Sequence, residues 1–246
     1  MADATVSNAT IRPEEAEHFG KLAADWWNPA GSSAMLHKLN PVRLGFIREA
    51  VDMHWGGDVE TAKPLAGKRA LDVGCGAGLL CEPLARLGAE VTGVDAAEEN
   101  IAAATSHAAG AGLPIDYRHG ELGTLGLGHF DLVTSMEVIE HVEDKQAFIA
   151  QLAAHLAPDG LMVLSTPNRT LKSRTLLVGA AEALGAVPKG THHWEDFVTP
   201  EEFEALLEVA GMAMGEPKGI AFSVGKGLHL SDDLSLNYIV TARRRD

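Results

Sequence analysis

Three stretches of this 246-residue chain carry side chains suited to chemistry. The first is Asp72-Val73-Gly74-Cys75-Gly76-Ala77-Gly78, a glycine-rich turn directly after a short apolar run. Glycines between a strand and a helix let the backbone approach a ligand closely, and the helix N-terminus favours the ligand's anionic parts. The second is Asp95, which ends the next apolar run about 20 residues further on; an acidic side chain there can accept both hydroxyls of a ribose. The third is Met136-Glu137-Val138-Ile139-Glu140-His141. If 137–142 is helical, Glu137, Glu140 and His141 share one face at i, i+3 and i+4. Two carboxylates and an imidazole so placed can bind a divalent cation. In the alternative reading the glutamates are solvated and His141 is a positioned hydrogen-bonding group or general base.

The elements that must carry these residues alternate. Strands are predicted at 69–74, 90–95, 115–119, 130–136 and 160–166, with helices at 78–87, 97–109 and 143–156 between them. That order argues for a parallel, doubly wound α/β sheet. Ligands of such sheets sit outside the carboxyl ends of the strands, which is where all three stretches fall. Thr199-Pro200-Glu201-Glu202 is a helix start with a capping box and proline at the first position. Strands at about 213–219 and 236–243 complete a seven-stranded sheet. Upstream, Pro13 opens a helix whose apolar stripe includes Phe19, Trp26 and Trp27, and Pro41 to Met53 reads as another. The expected organisation is a single domain over 1–246, with a helical cap at about 13–55, a core at about 68–170 and 195–246, and a helical insertion at about 171–194.

Bulk properties narrow the function. A net charge of −14 disfavours nucleic acid as substrate, because neutralising phosphates needs a basic surface. The two cysteines, Cys75 and Cys81, fit no zinc spacing and read as reduced thiols. No apolar run is long enough to span a bilayer, and the N-terminus lacks an export signal, so a cytoplasmic protein is expected. Leu171 to Val187 is unusually apolar, with Leu176, Leu177, Ala180, Ala181 and Leu184 on one helical stripe and a net positive flank. It reads as a lid over the site, as an interfacial helix making peripheral contact with a membrane, or as both.

The run D-V-G-C-G-A-G resembles motif I of the class I S-adenosylmethionine-dependent methyltransferases. It does not meet the G-x-G-x-x-G spacing of nicotinamide-binding folds. Together with E-V-I-E-H-V, S-T-P-N-R, V-P-K-G-T-H-H-W and the early Leu39-Asn40-Pro41-Val42-Arg43-Leu44 segment, it looks like the ubiquinone-biosynthesis O-methyltransferases over about residues 16 to 242. The resemblance implies a Rossmann-like sheet with an antiparallel last strand, S-adenosylmethionine as cofactor, and O-methylation of polyprenylated phenols and catechols. A ubiquinone-biosynthesis enzyme assembly and the inner face of a bacterial plasma membrane are the corresponding partner and location. Arg43, Gly74, Asp95 and Met136 match cofactor contacts of the family. Asp72, Gly76 and Gly78 belong to the same glycine-rich run, and Glu121 is a candidate for the adenine side. Arg43 would pair with the carboxylate of the cofactor's methionine moiety. Some members use the Glu137, Glu140 and His141 positions for a divalent metal, here magnesium or zinc. Pro167 stands where some relatives have leucine or isoleucine, a local difference in the loop.

The chemistry assigns these residues work. A phenol of pKa about 10 is ionised in only about one molecule in 10³ at pH 7, a deficit of about 4 kcal/mol. A cation held at Glu137, Glu140 and His141 would lower that pKa; otherwise His141 would take the proton as general base.

Overall fold

The computed structural model describes residues 10, 12–31, 33–58, 60–175 and 194–245. Along its central strands successive apolar residues go to opposite faces, as a sheet buried on both sides requires. Leu71, Val133, Met162, Leu164 and Val240 pack on one face with Phe148, Leu152 and Phe203. Their neighbours Ala70, Leu132, Leu161, Val163 and Ile239 pack on the other with Ile47, Val51 and Leu84.

The strands are β1 Arg69–Val73, β2 Glu90–Asp95, β3 Asp116–His119, β4 Phe130–Met136, β5 Leu156–Pro167, β6 Met212–Met214, β7 Gly219–Ser223, β8 Gly227–Ser231 and β9 Asn237–Arg244. Seven of them form one sheet in the order β3-β2-β1-β4-β5-β9-β6. β1 to β5 pair in parallel, whereas β9 runs antiparallel to both neighbours. The expected seven-stranded sheet with an antiparallel last strand is therefore present. Its order reverses between β1 and β4, which opens a crevice at their carboxyl ends.

Among the described residues the helices are α1 Pro13–Gly20, α2 Ala34–Trp55, α3 Cys81–Arg86, α4 Glu98–Gly110, α5 Lys145–Ala154, α6 Leu171–Ser173 and α7 Pro200–Val209. α2 is longer than the predicted 41–53, and Pro41 lies inside it. Burial of the helix's inner face outweighs the one backbone hydrogen bond that proline removes. α3 starts at Cys81 rather than at 78, because Gly78 at φ 87° still belongs to the turn. The predicted strand at 213–219 stops at Met214. Gly215 donates to Thr241 O, but Pro217 has no N–H with which to extend the ladder. The chain then makes the β7–β8 hairpin, which the sequence reading did not foresee.

The described residues before α2 lie as a strap across the crevice, with Thr10, Glu15, Phe19, Leu22 and Trp26 lining it. Thr10 donates through N and Oγ1 to Glu121 Oε2, both at 3.3 Å. Arg12 forms a forked pair with Asp196 at 2.7 and 3.2 Å. Trp27 stacks on His107 of α4 and donates from Nε1 to Ala77 O at 3.0 Å. Just after β5, Thr170 and Ser173 form a capping box around α6. The apolar stripe from Leu176 to Leu184, and V-P-K-G-T-H-H-W up to its Trp194, lie outside the described residues. Among the described residues, no helix is long and apolar enough to cross a membrane.

Candidate functional site

A cavity of about 280 Å³ opens at the carboxyl ends of β1, β2, β4 and β5. Arg43, Asp72, Gly74, Asp95, Glu121, Met136, Glu137 and His141 all line it. Gly76, Gly78 and Glu140 are not among the residues that line it.

The half of the cavity next to β1 and β2 is built from backbone. Gly74 and Cys75 both donate to Val94 O, at 2.8 and 3.0 Å, which bends the chain sharply off β1. Gly76 has φ 53°, and a Cβ there would lie 2.3 Å from the Trp26 ring. Asp95 does more than face the cavity: Oδ2 accepts the Gly76 N–H at 2.8 Å, and Oδ1 accepts the Ala97 N–H at 2.9 Å and Asn100 Nδ2 at 3.1 Å. The same carboxylate thus staples the glycine turn to the start of α4, and burial raises its pKa against those donors. Asp72, buried beneath the turn, accepts from Thr134 Oγ1 at 2.7 Å and from Cys81 Sγ at 3.3 Å. Burial pushes its carboxyl up to about 6, against the two hydrogen bonds.

The other half, between β4 and β5, is built from polar side chains. Glu137 is the one non-glycine residue with positive φ among those described, at 57°. Its N–H donates to Ser165 O at 3.0 Å, so the β4–β5 ladder holds the chain until it turns. Its Oε1 accepts from Arg43 Nη2 at 2.9 Å and from Ser165 Oγ at 2.7 Å. Glu140 is 2% exposed. Oε2 accepts from Thr166 Oγ1 at 3.0 Å, while Oε1 has no hydrogen-bond donor. Burial raises the Glu140 pKa, and the charge of Glu137 adds to the rise. His141 places Nε2 3.8 Å from Glu140 Oε1 and Nδ1 3.1 Å from Glu15 Oε2. Burial depresses the His141 pKa, but the bond to Glu15 and the charge of Glu140 outweigh it, and the net shift is upward.

One geometric expectation fails. Residues 137–142 are not an α-helix: only Ile139–His141 forms a 3-10 turn, and Glu137 precedes it with left-handed backbone. Three groups therefore do not present on one helical face. Glu137 is drawn toward Arg43 and Ser165, Glu140 toward Thr166. Among the described residues, no group of three or more His, Cys, Asp and Glu side chains is arranged to hold a metal ion. Arg43 is buried with its Nε unpaired, and its Nη2 engages Glu137.

Four contributors escaped the sequence reading. Ser165 and Thr166 belong to the S-T-P-N run, which was noticed without a role. Glu15 reads as an ordinary acidic residue in a helix first turn. Trp26 reads as part of an apolar stripe, and only the fold shows it against Gly76. No local pattern marks Glu15, because its partner His141 comes from a distant part of the chain.

A glycine turn after β1, an acidic residue ending β2 and a reversal of strand order between them and β4 define a class I methyltransferase. A family model described as a methyltransferase domain matches residues 54–215, more than half of the chain. The similarity extends further among curated relatives: the chain belongs to the ubiquinone biosynthesis O-methyltransferase family. It is 46% identical to the member from Azorhizobium caulinodans over 242 residues, covering 96% of this chain and 95% of that one. It is 43% identical to the member from Maricaulis maris over 245 residues, covering 98% and 96%. Among solved structures, magnesium protoporphyrin IX methyltransferase from Synechocystis with bound SAH superposes with a TM-score of 0.58 at 22% identity, covering 92% of this chain and 99% of that one. An S-adenosylmethionine-dependent methyltransferase from Clostridium acetobutylicum gives 0.61 at 14% identity, covering 94% and 99%. At these identities the likeness is one of fold. By family and fold the protein is an S-adenosylmethionine-dependent O-methyltransferase.

Proposed function

We propose that the protein methylates hydroxyl groups of polyprenylated phenols and catechols, of the 2-polyprenyl-6-hydroxyphenol and 3-demethylubiquinol type, in ubiquinone biosynthesis. The observation that carries this is His141, its Nε2 beside a buried carboxylate, on the wall of the cavity that the glycine turn also lines. S-adenosylmethionine supplies a methyl group already activated on a sulfonium. The residues present fit it. Asp95, Glu121 and Met136 line the cavity, where Asp95 would take the ribose and Glu121 the adenine side, and the buried Nε of Arg43 has no acceptor yet. Arg43 would hold the methionine carboxylate in exchange for Glu137.

The chain must then make the acceptor nucleophilic. His141 Nε2 takes the hydroxyl proton as the new O–C bond forms, and later returns it to solvent. Closing the cavity over cofactor and acceptor contributes the rest, by holding oxygen, methyl and sulfur in line.

A divalent cation is a second reading, favoured by one observation: Glu140 Oε1 is buried, lacks a donor and faces His141 Nε2 at 3.8 Å. Those two atoms would be ligands of a magnesium or zinc ion, but the ion would need a third that the present arrangement of the described residues does not offer until Glu137 leaves Arg43. Such an ion would bind catechol oxygens and lower their pKa. A polyprenyl tail also requires approach to a bilayer. We assign that peripheral contact to the apolar stripe Leu176, Leu177, Ala180, Ala181 and Leu184, on its composition. A multienzyme assembly would serve the same need by passing the lipid between active sites.

The test is methyl transfer to a short-chain catechol analogue, followed by mass spectrometry, with and without chelator. Methylation at a ring oxygen is expected. No product from the catechol, with turnover of a carboxylate acceptor instead, rejects the substrate class. Full turnover in chelator rejects the cation and leaves His141 as base. Liposome co-sedimentation of the parent, lost on replacing Leu176, Leu177 and Leu184 by serine, tests the membrane contact.

A further inference from the structure

Glu15 stands on α1, within the strap that crosses the crevice. Its Oε2 lies 3.1 Å from His141 Nδ1, and only about a tenth of either side chain is exposed. Phe19, one helical turn further along, meets the same imidazole edge-on with ring centroids 5.0 Å apart. One face of α1 thus grips His141 from the Nδ1 side while Nε2 is directed at Glu140 Oε1. A neutral imidazole whose Nδ1–H donates to a carboxylate carries its lone pair on Nε2. That lone pair is what either role of His141 requires, proton acceptor or metal ligand. The strap does not need Glu15 to stay in place: Thr10 on Glu121, Arg12 on Asp196 and Trp27 on Ala77 already fasten it. Burying a carboxylate is unfavourable unless it is paired, and here the partner is the imidazole.

We propose that Glu15 is a positioning residue for methyl transfer: it holds His141, at the cavity wall, in the Nδ1–H tautomer with the Nε2 lone pair on the Glu140 side. The N-terminal helix then completes the acceptor half of the site, although it contributes no group that touches the reacting atoms. The proposal rests on the reading of His141 as the acceptor-side group, and the test separates the two.

Glu15→Ala, Glu15→Gln, His141→Gln and the double variant Glu15→Ala/His141→Gln are compared in the full chain. Removing an orienting carboxylate lowers kcat about 10–100-fold, the usual scale for such partners. The affinity for S-adenosylhomocysteine, read by calorimetry, stays within about twofold. Glu15→Gln keeps an acceptor oxygen and recovers part of the loss. Nitrogen-15 shifts at mildly alkaline pH show Nδ1–H for His141 in the parent and a shift toward Nε2–H in Glu15→Ala. In the His141→Gln background, Glu15→Ala costs nothing further. The proposal is overturned by a parent His141 already in the Nε2–H form. It is equally overturned if Glu15→Ala turns over at the parental rate while His141→Gln is inactive, or if the losses add in the double variant. Parental turnover by His141→Gln rejects the underlying reading instead, and this proposal with it.

Discussion

The two halves of the cavity reach order by opposite means. On the β1–β2 side the shape is made by backbone: Gly74 and Gly76 take left-handed conformations and Asp95 ties the loop to α4. On the β4–β5 side it is made by side chains: Glu137, Glu140 and His141 are held by Arg43, Ser165, Thr166 and Glu15. Both halves keep buried polar atoms without a partner: Trp26 Nε1, Asn100 Oδ1 and Tyr117 Oη around the first, Glu140 Oε1 and Arg43 Nε in the second, and in the second they are charged groups. A backbone cradle recognises a ligand that is the same in every turnover. Unsatisfied buried groups are costly, about 1–3 kcal/mol each, and persist where a reacting group will later satisfy them. Binding and chemistry are thereby separable by mutation.

The sharpest break is His141→Gln. Losing a general base or metal ligand lowers turnover about 10²–10⁴-fold, while S-adenosylhomocysteine titrates with parental affinity. Equal loss of binding and rate would erase the distinction between the halves.

Asp72 sits under both. Its folded pKa of about 6 lies above the ordinary carboxyl value of 3.8. The folded chain therefore binds that proton more tightly than the unfolded chain, and the stabilisation is full below about pH 4 and lost as the pH rises toward 6. Asp72→Asn keeps an acceptor for Thr134 and removes the charge. Relative to the parent, its unfolding free energy should grow by about 3 kcal/mol between pH 4 and pH 7, at 1.36 kcal/mol per unit. Parallel denaturation curves at all pH values would show that Asp72 is not held in its raised state.

Gly76→Ala probes the backbone half alone. The Cβ meets the Trp26 ring at 2.3 Å and left-handed backbone costs a further 1–2 kcal/mol, about 2 kcal/mol or more in all. Cofactor affinity should fall about 30-fold or more, with kcat at saturation nearly kept. Loss of kcat at unchanged affinity would contradict the assignment.

The smallest effect belongs to Ser165→Ala. One hydrogen bond to Glu137 is removed, worth about 1 kcal/mol. Turnover should drop about fivefold with cofactor binding intact, and a larger change in binding than in rate would place Glu137 in the cofactor half.

The same contrast decided what could be read from the sequence. The backbone half announces itself locally: glycines, their spacing to Asp95 and the flanking strand patterns fall within one stretch of chain, and β1 to β4 came out close to their observed bounds, whereas β5 starts at Leu156, ahead of the predicted 160. The side-chain half was legible in composition and not in geometry. Glu137, Glu140 and His141 were found, but the helix assumed for them gave way to a 3-10 turn, because Glu137 N–H remains on the β5 ladder. Glu15 and Trp26 escaped because their partners are distant in sequence. The β7–β8 hairpin escaped because one Pro217 divides what patterning alone would join into a single strand.

The strap's anchors also set a temporal order. Thr10 meets Glu121 and Arg12 meets Asp196 across separations of 111 and 184 residues. Such contacts close loops whose entropy must be offset by a surface that already exists. Thr10, Arg12 and α1 are therefore expected to be among the last to find their place, after β4, β5 and the 194–196 turn have formed. By the same reasoning they are the first to come away, opening the crevice while the sheet stays intact. Native-state hydrogen exchange should show amides of α1 exchanging through openings of far lower free energy than those of β1 and β4. Uniform protection would mean that strap and sheet unfold as one.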